Sequence, residues 1–271
     1  MREFPWRATR DPWHVLISEV MLQQTNVARV RPRFERFVAL APTPSACSEA
    51  ALADLLVEWQ GMGYPRRCRH IQDAARVIVE RHGGEVPRDL DALMALPGIG
   101  PYTARAILAF AFGDDAAVVD TNVARVISRI EGRALKPRET QVVADELLPK
   151  GFAREWNQVV MDFGATVCNA RAPQCSSCPI ARLCSWRGEG VDPARTTAFT
   201  SRPQGRFEGS DRQARGRMMK RLTEGSVEAT RVAEVMGVDD VDRAERLVAS
   251  LITDGLVERV GRSYRLSERR R

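Results

Sequence analysis

Cys168, Cys175, Cys178 and Cys184 follow one another as Cys-x6-Cys-x2-Cys-x5-Cys within seventeen residues. Four thiols carried by one irregular loop suit a 4Fe-4S cluster, because each iron of the cube takes one thiolate and a loop can wrap where a helix cannot. Zinc is the main competitor. Structural zinc sites pair two short Cys-x2-4-Cys hooks across a longer gap, and here Cys175 and Cys178 form one such hook. Two disulfides fit poorly in a chain that reads as lacking a secretory segment and is too long to need staples. Cys47 and Cys68 stand apart, in helical surroundings, and read as small buried hydrophobes.

Two carboxylates sit in opposed environments. Glu19 lies in Val15-Leu16-Ile17-Ser18-Glu19-Val20-Met21-Leu22, with apolar neighbours on either side, so its helix reads as buried. A desolvated Glu has a raised pKa and can keep its proton near neutrality, which a general acid requires; the structural alternative is a buried Glu satisfied by a nearby Gln or Arg. Asp120 ends the apolar run Ala116-Ala117-Val118-Val119 and precedes Val123, Val126, Ile127 and Ile130 at helical spacing. That place predicts an N-cap, which contributes about 1 kcal/mol with no chemistry. The same N–H groups would also hold a fixed anion there. One carboxyl kept as acid and one as anion make a pair able to cleave a glycosidic bond.

Leu93-Met94-Ala95-Leu96-Pro97-Gly98-Ile99-Gly100-Pro101-Tyr102-Thr103-Ala104 reads as helix, tight hairpin, helix. Gly98 and Gly100 let the backbone turn sharply and approach a partner closely, and Pro101 suits the first turn of an Ala-rich helix expected from Tyr102 to Phe112. A helix start of this kind can hold a phosphate oxygen of DNA without reading sequence, although Pro-Gly-x-Gly is also an ordinary interhelical turn.

The elements that must position these residues are helical. Helical periodicity runs from Trp13 to Phe163, broken at Pro42-Thr43-Pro44, Gly83-Gly84, Gly113-Asp114-Asp115 and Lys136-Pro137, so the expected class is all-α. Residues 188–210 read as a linker rich in Gly, Pro and Ser. Beyond it, helices are expected over Asp211–Leu222, Glu228–Met236 and Val241–Asp254, the last with Ala244, Leu247, Val248, Leu251 and Ile252 on one stripe. A hairpin follows, Leu256–Val260 and Ser263–Leu266 around Gly261-Arg262. Three helices and a hairpin predict a winged-helix-like domain over 211–271, a kind that either contacts DNA or serves as a packing module. The 271 residues, 44% hydrophobic, can bury one sizeable core and a small second one. A net charge of +6 fits a polyanion without requiring one. No stretch is apolar enough to span a membrane, and free cysteines with a cluster indicate a reducing cytoplasm.

Five motifs now stand in order: Ser18-Glu19-Val20-Met21-Leu22-Gln23-Gln24-Thr25, Gly61-Met62-Gly63-Tyr64, the Leu96–Ala104 hairpin, Val119-Asp120-Thr121-Asn122-Val123-Ala124-Arg125-Val126, and the cysteine loop. Over about residues 4–187 they resemble the MutY-type adenine DNA glycosylases of the endonuclease III, or helix-hairpin-helix, superfamily. The resemblance implies a two-lobed helical enzyme that flips its base into a cleft between the lobes. Residues 16–120 would form a six-helix barrel ending in the hairpin, and 1–15 with 121–187 the lobe holding the 4Fe-4S cluster on its four cysteines. Glu19 would protonate the adenine ring and Asp120 stabilise the sugar cation. Tyr102 stands where lyase-competent relatives carry a Schiff-base Lys, which implies a monofunctional enzyme. Gln24 and Tyr64 would wedge into the duplex. Gln23, Thr25, Gly98 and Gly100 complete the DNA-facing set with Arg66, whose neighbours Arg67, Arg69 and His70 place positive charge where phosphates should run. The implied partner is double-stranded DNA carrying a mispair or an oxidised guanine, bound by a monomer in the cytoplasm, at the nucleoid.

Some features depart from the family pattern. The tail is too short for the larger strand-rich domain that helps well-known members recognise 8-oxoguanine. Thr121 replaces a usual Gly and Pro65 a common second Tyr, while Gly63-Tyr64-Pro65-Arg66-Arg67 looks like the shorter-tailed actinobacterial forms. The chain starts at Phe4-Pro5-Trp6-Arg7 where relatives carry a preceding helix, which a mis-assigned start or a true shortening would explain. A thymine or uracil mismatch glycosylase of the same fold also tolerates Tyr102 and Asp120, though the setting of Glu19 argues against it. From a different class, a non-catalytic iron-sulfur DNA-binding regulator would leave both carboxylates without a role.

Overall fold

Pro12–Leu22 is apolar on nearly every side, and accordingly Trp13, Val15, Leu16, Ile17, Val20 and Met21 are all buried in a helix started by Asp11, whose Oδ1 accepts from Trp13 N at 2.8 Å and His14 N at 3.0 Å. In the computed structural model, which describes residues 2–196 and 205–268, the later helices start and stop on similar local signals. Asn26 caps Val27–Leu40 and Thr43 caps Pro44–Glu49, while Gly83, at φ +62°, ends Arg66–His82. The middle of the expected linker and the last three residues of the chain lie outside the described residues.

The described residues fall into two compact units. One is built from Met1–Val15, Arg88–Met94 and Ile99–Pro203. Its centre is the amphipathic helix Thr121–Glu131, packed against Pro137–Leu147 and Ala153–Thr166 around Val123, Ala124, Ile127 and Leu135. The helix Tyr102–Phe112 proves α-helical only to Ile107; Leu108–Phe112 is wound as a π-helix. It closes on Gly113, at φ +73°, whose N–H donates to Leu108 O, and Arg154 Nη1 donates to the Phe110 carbonyl in this last turn.

The other unit is built from Leu16–Pro87, Ala95–Gly98 and Gln204–Arg271. Arg66–His82 packs on Pro44–Glu49 and Leu52–Glu58, with the rings of Phe37 and Trp59 edge to face at 5.7 Å. The tail has helices Asp211–Leu222, Val232–Met236 and Val241–Thr253 and a three-stranded antiparallel sheet of order β1-β3-β2, from β1 Val227–Glu228, β2 Val257–Val260 and β3 Ser263–Leu266. The helix expected over Glu228–Met236 is therefore shorter. Val227 pairs with Tyr264 and Glu228 with Ser263, and a 3-10 turn, Ala229–Arg231, separates this strand from the helix. Ile252, expected on the buried stripe, is 40% exposed, whereas Ala244, Leu247, Val248 and Leu251 are buried. Within this unit the tail packs on the body: β3 lies against Leu52–Glu58, and Arg69 Nη1 donates to Gly255 O at 2.9 Å. No helix among the described residues is long and apolar enough to cross a membrane.

Candidate active site and cysteine cavity

Glu19 projects from the buried helix Pro12–Leu22 and is 6% exposed. Asp120 caps Thr121–Glu131: Oδ1 accepts from Asn122 N at 2.8 Å and Val123 N at 2.7 Å, and Oδ2 from Asn122 Nδ2 at 2.9 Å. The carboxylate is thus fixed at the positive end of a helix. The apolar run before it is tied down by Asn157, whose Oδ1 accepts from Val118 N and whose Nδ2 donates to Ala116 O. Asn157 is buried, and no motif announced it. Tyr102 is half-buried in the first turn of Pro101–Ile107.

Gln24 and Tyr64 are both exposed and both hold left-handed backbone, at φ +52° and +47°. Among the described residues Arg187 shares this property with them as a non-glycine, and it lies three residues beyond Cys184. Such conformations persist only where the surroundings over-determine them. Here one side chain reaches both segments, beside the bond from Trp59 Nε1 to Gly63 O at 3.1 Å. Arg67 Nη1 donates to the carbonyls of Val20 (2.9 Å), Met21 (3.1 Å) and Gln23 (2.5 Å), and Nη2 to Thr25 Oγ1 (2.8 Å), Met62 O (3.2 Å) and Gly63 O (3.0 Å). Burial lowers the Arg67 pKa to about 10, which leaves it charged at neutrality. Packing divides the basic run that follows Tyr64. Arg67 points inward, Arg69 is spent on Gly255 and Asp73, and half-buried His70 packs under Gly98; Arg66 remains exposed, with Asp254 at 3.8 Å. Sequence signals a charge run, and only packing reveals which charges turn inward.

At the hairpin Gly98 is exposed at φ +78°, and Gln23 Nε2 donates to its carbonyl at 3.4 Å. Gly100 is in extended backbone that any residue can adopt. Of the two glycines, the fold itself requires the freedom of Gly98.

Cys168, Cys175, Cys178 and Cys184 line one cavity together with Phe163, Val167 and Trp186. Cys175 opens the 3-10 turn Cys175–Ser177 and Cys178 follows it, while Cys184 follows a second such turn, Ala181–Leu183. Arg129 braces the loop, donating to Cys168 O at 3.2 Å, Cys168 Sγ at 3.3 Å and Asn169 O at 2.8 Å, with its guanidinium 4.6 Å from the Trp186 ring centre. Burial raises the Cys168 thiol, against the lowering effect of Arg129, and burial raises Cys175 as well. A Cβ added to Gly188 would stand 3.0 Å from Cys175 Sγ. Among the described residues no three His, Cys, Asp or Glu side chains are gathered closely enough to hold a metal ion as they stand. What the loop offers is four thiols spread around one cavity, a donor set that suits a cluster whose irons each take one thiolate. Cys47 and Cys68 are fully buried elsewhere, and burial pushes the Cys47 thiol up to about 12.

The description HhH-GPD superfamily base excision DNA repair protein fits residues 17–150 of this chain. Fold and site thus define the class. An adenine DNA glycosylase of Mycolicibacterium smegmatis is 42% identical over 263 residues, covering 95% of this chain and 88% of its own. A thymine/uracil-DNA glycosylase of Methanothermobacter thermautotrophicus is 34% identical over 191 residues, covering 68% of this chain and 86% of its own. Among solved structures, an endonuclease III trapped as a covalent intermediate with DNA superposes with a TM-score of 0.61 at 32% identity, over 66% of this chain and 86% of that one. The chain belongs to the HhH-GPD superfamily and, within it, to the adenine DNA glycosylase family.

Proposed function

We propose that the protein excises adenine from double-stranded DNA in base excision repair, acting on adenine opposite 8-oxoguanine or G. The observation that carries this reading is the 42% identity with an adenine DNA glycosylase over 95% of the chain, whereas the thymine/uracil relative aligns over 68%. Buried Glu19 is the general acid that makes adenine a leaving group, and capped Asp120 stabilises the positive charge that develops on the sugar. Tyr102 in place of a Lys leaves no amine to form a Schiff base, so the product is an abasic site with an intact strand. Gln24 and Tyr64 enter the duplex beside the extruded base, Gln23 and Thr25 support them, and Arg66, Gly98 and Gly100 meet the phosphates. The four loop cysteines hold a 4Fe-4S cluster that shapes the loop carrying exposed Arg171 and Arg182.

Single-turnover excision on duplexes with A opposite 8-oxoguanine, G or T, and with U or T opposite G, tests the substrate. Cutting of the first two, with A opposite T untouched and no strand nicking, is the expected result. Cutting confined to U or T opposite G would transfer the protein to the mismatch-pyrimidine branch. Four irons per chain and a matching visible absorption after anaerobic preparation are expected for the cluster, with one ligand position on each of four irons.

A further inference from the structure

We infer that Arg67 is a positioning residue that joins the Gln23–Thr25 segment and the Gly61–Tyr64 loop into one stiff wedge, and that extrusion of the base, not cleavage of its glycosidic bond, depends on it. The inference rests on the proposal that Gln24 and Tyr64 enter the duplex. It starts from where the six acceptors shared by the four N–H groups of Arg67 Nη1 and Nη2 lie. Gln23 O and Thr25 Oγ1 lie on either side of Gln24, and Gly63 O directly precedes Tyr64. The bonds therefore bracket both residues held in left-handed backbone. One guanidinium edge takes the helix end and the other spans to the loop. Val20 and Met21 are among the last residues of Pro12–Leu22, whose carbonyls have no partner within the helix, so a cation there also suits the helix dipole. Thr25 Oγ1 adds a second strap by donating to Met62 O at 3.2 Å. The guanidinium also lies 5.3 Å from the Trp59 ring centre and 5.5 Å from that of Tyr64.

The chemistry of the fork makes the residue hard to replace. A planar guanidinium has donors on fixed edges and serves two segments at once; a Lys ammonium keeps the charge but concentrates three donors at one point. A wedge that must force a stacked base out of a duplex loses effectiveness if its two parts yield separately. A base that is already unpaired asks nothing of the wedge.

The test compares wild type, Arg67→Lys, Arg67→Met, Gln24→Ala and Tyr64→Ala on two duplex types. In one, 2-aminopurine replaces the target adenine in a paired site and its fluorescence reports unstacking; in the other, adenine lies opposite an abasic site. Arg67→Lys is expected to slow both the fluorescence rise and single-turnover excision on the paired duplex by ~10-fold, the loss of roughly one hydrogen bond to a charged group. On the unpaired substrate it is expected to cut at close to the wild-type rate. Equal loss on both substrates, or loss on neither, overturns the inference. If Gln24→Ala and Tyr64→Ala leave extrusion untouched, the wedge reading itself fails; if they slow it and Arg67→Lys does not, the role of Arg67 alone is rejected. Should the Arg67 variants fail to fold, Thr25→Val removes one fork acceptor and the second strap and carries the same comparison.

Discussion

Arg129 and Asp192 meet as a two-point ion pair, Nη2 to Oδ2 at 2.7 Å and Nε to Oδ1 at 3.1 Å, with the arginine side chain 1% exposed. Because the remaining Nη1 supports Cys168 and Asn169, the carboxylate of Asp192 aims the guanidinium that holds the start of the cysteine loop. Asp192→Ala leaves a buried cation without its partner and is expected to destabilise the protein by about 3–5 kcal/mol, with earlier loss of iron on titration with a chelator. Equilibrium urea unfolding measures the first effect. A change below about 1 kcal/mol, in the range of an exposed pair, would show that the pair does not hold the loop.

Capping and catalysis can be separated at Asp120. Asn still accepts from Asn122 N and Val123 N but carries no charge and loses the bond from Asn122 Nδ2, so Asp120→Asn is expected to cost about 0.5–1 kcal/mol of stability while excision falls by ~100-fold or more. Asp120→Ala should lose the cap too, at about 1 kcal/mol. Single-turnover rates beside thermal unfolding decide the matter. A fully active Asn variant would reduce Asp120 to a structural cap.

How far the sequence reached depended on the range of each signal. Asp120 was legible as an N-cap because capping is settled within three residues, and Gly98 as a turn because its φ is a local property. Asp211–Leu222 was legible in full, since Ser210 caps its start and Ala214, Met218, Met219 and Leu222 keep helical spacing to its end. Strand β1 was not, because two residues carry no period and its partner lies in β3, far along the chain. The roles of Asp192, within the assigned linker, and of Arg67, within an apparent charge run, depend on contacts that no local pattern encodes. The π-helical turn at Leu108–Phe112 likewise has no apolar period that sets it apart from the α-helix before it.

Acid should act on the N-terminal segment through Asp162. Burial alone would raise its pKa, but hydrogen bonds from Arg7 and Arg2 outweigh burial and hold the carboxyl well below the usual carboxylate range. A carboxyl with a lowered folded pKa contributes stability that is complete above its unfolded value, about pH 4, and is lost as pH falls through the folded value. Wild type is therefore expected to exceed Asp162→Asn in unfolding free energy at pH 7, with the gap closing progressively below about pH 4. A gap independent of pH, measured by urea unfolding across that range, would mean that the ionised carboxylate is not what anchors Arg2 and Arg7.

The two hairpin glycines should part company on substitution. At Gly98 a Cβ would stand 2.7 Å from His70 Cβ on a backbone at φ +78°, so Gly98→Ala is strained twice over and is expected to cost about 1–3 kcal/mol of stability. At Gly100 the backbone is extended and an added Cβ meets nothing within 4 Å, so Gly100→Ala should fold as wild type does, within about 0.5 kcal/mol. The protein's own packing therefore gives no reason for glycine at 100, and a reason must come from something that approaches the backbone from outside. If that is a DNA phosphate, Gly100→Ala weakens affinity for undamaged duplex by ~10-fold with an unchanged melting temperature, since one methyl group pushes the phosphate out of hydrogen-bond range of the helix start. Fluorescence anisotropy at fixed salt reads this directly, and an unaltered Kd would remove Gly100 from the DNA-facing surface while leaving Gly98 as a residue the turn itself requires.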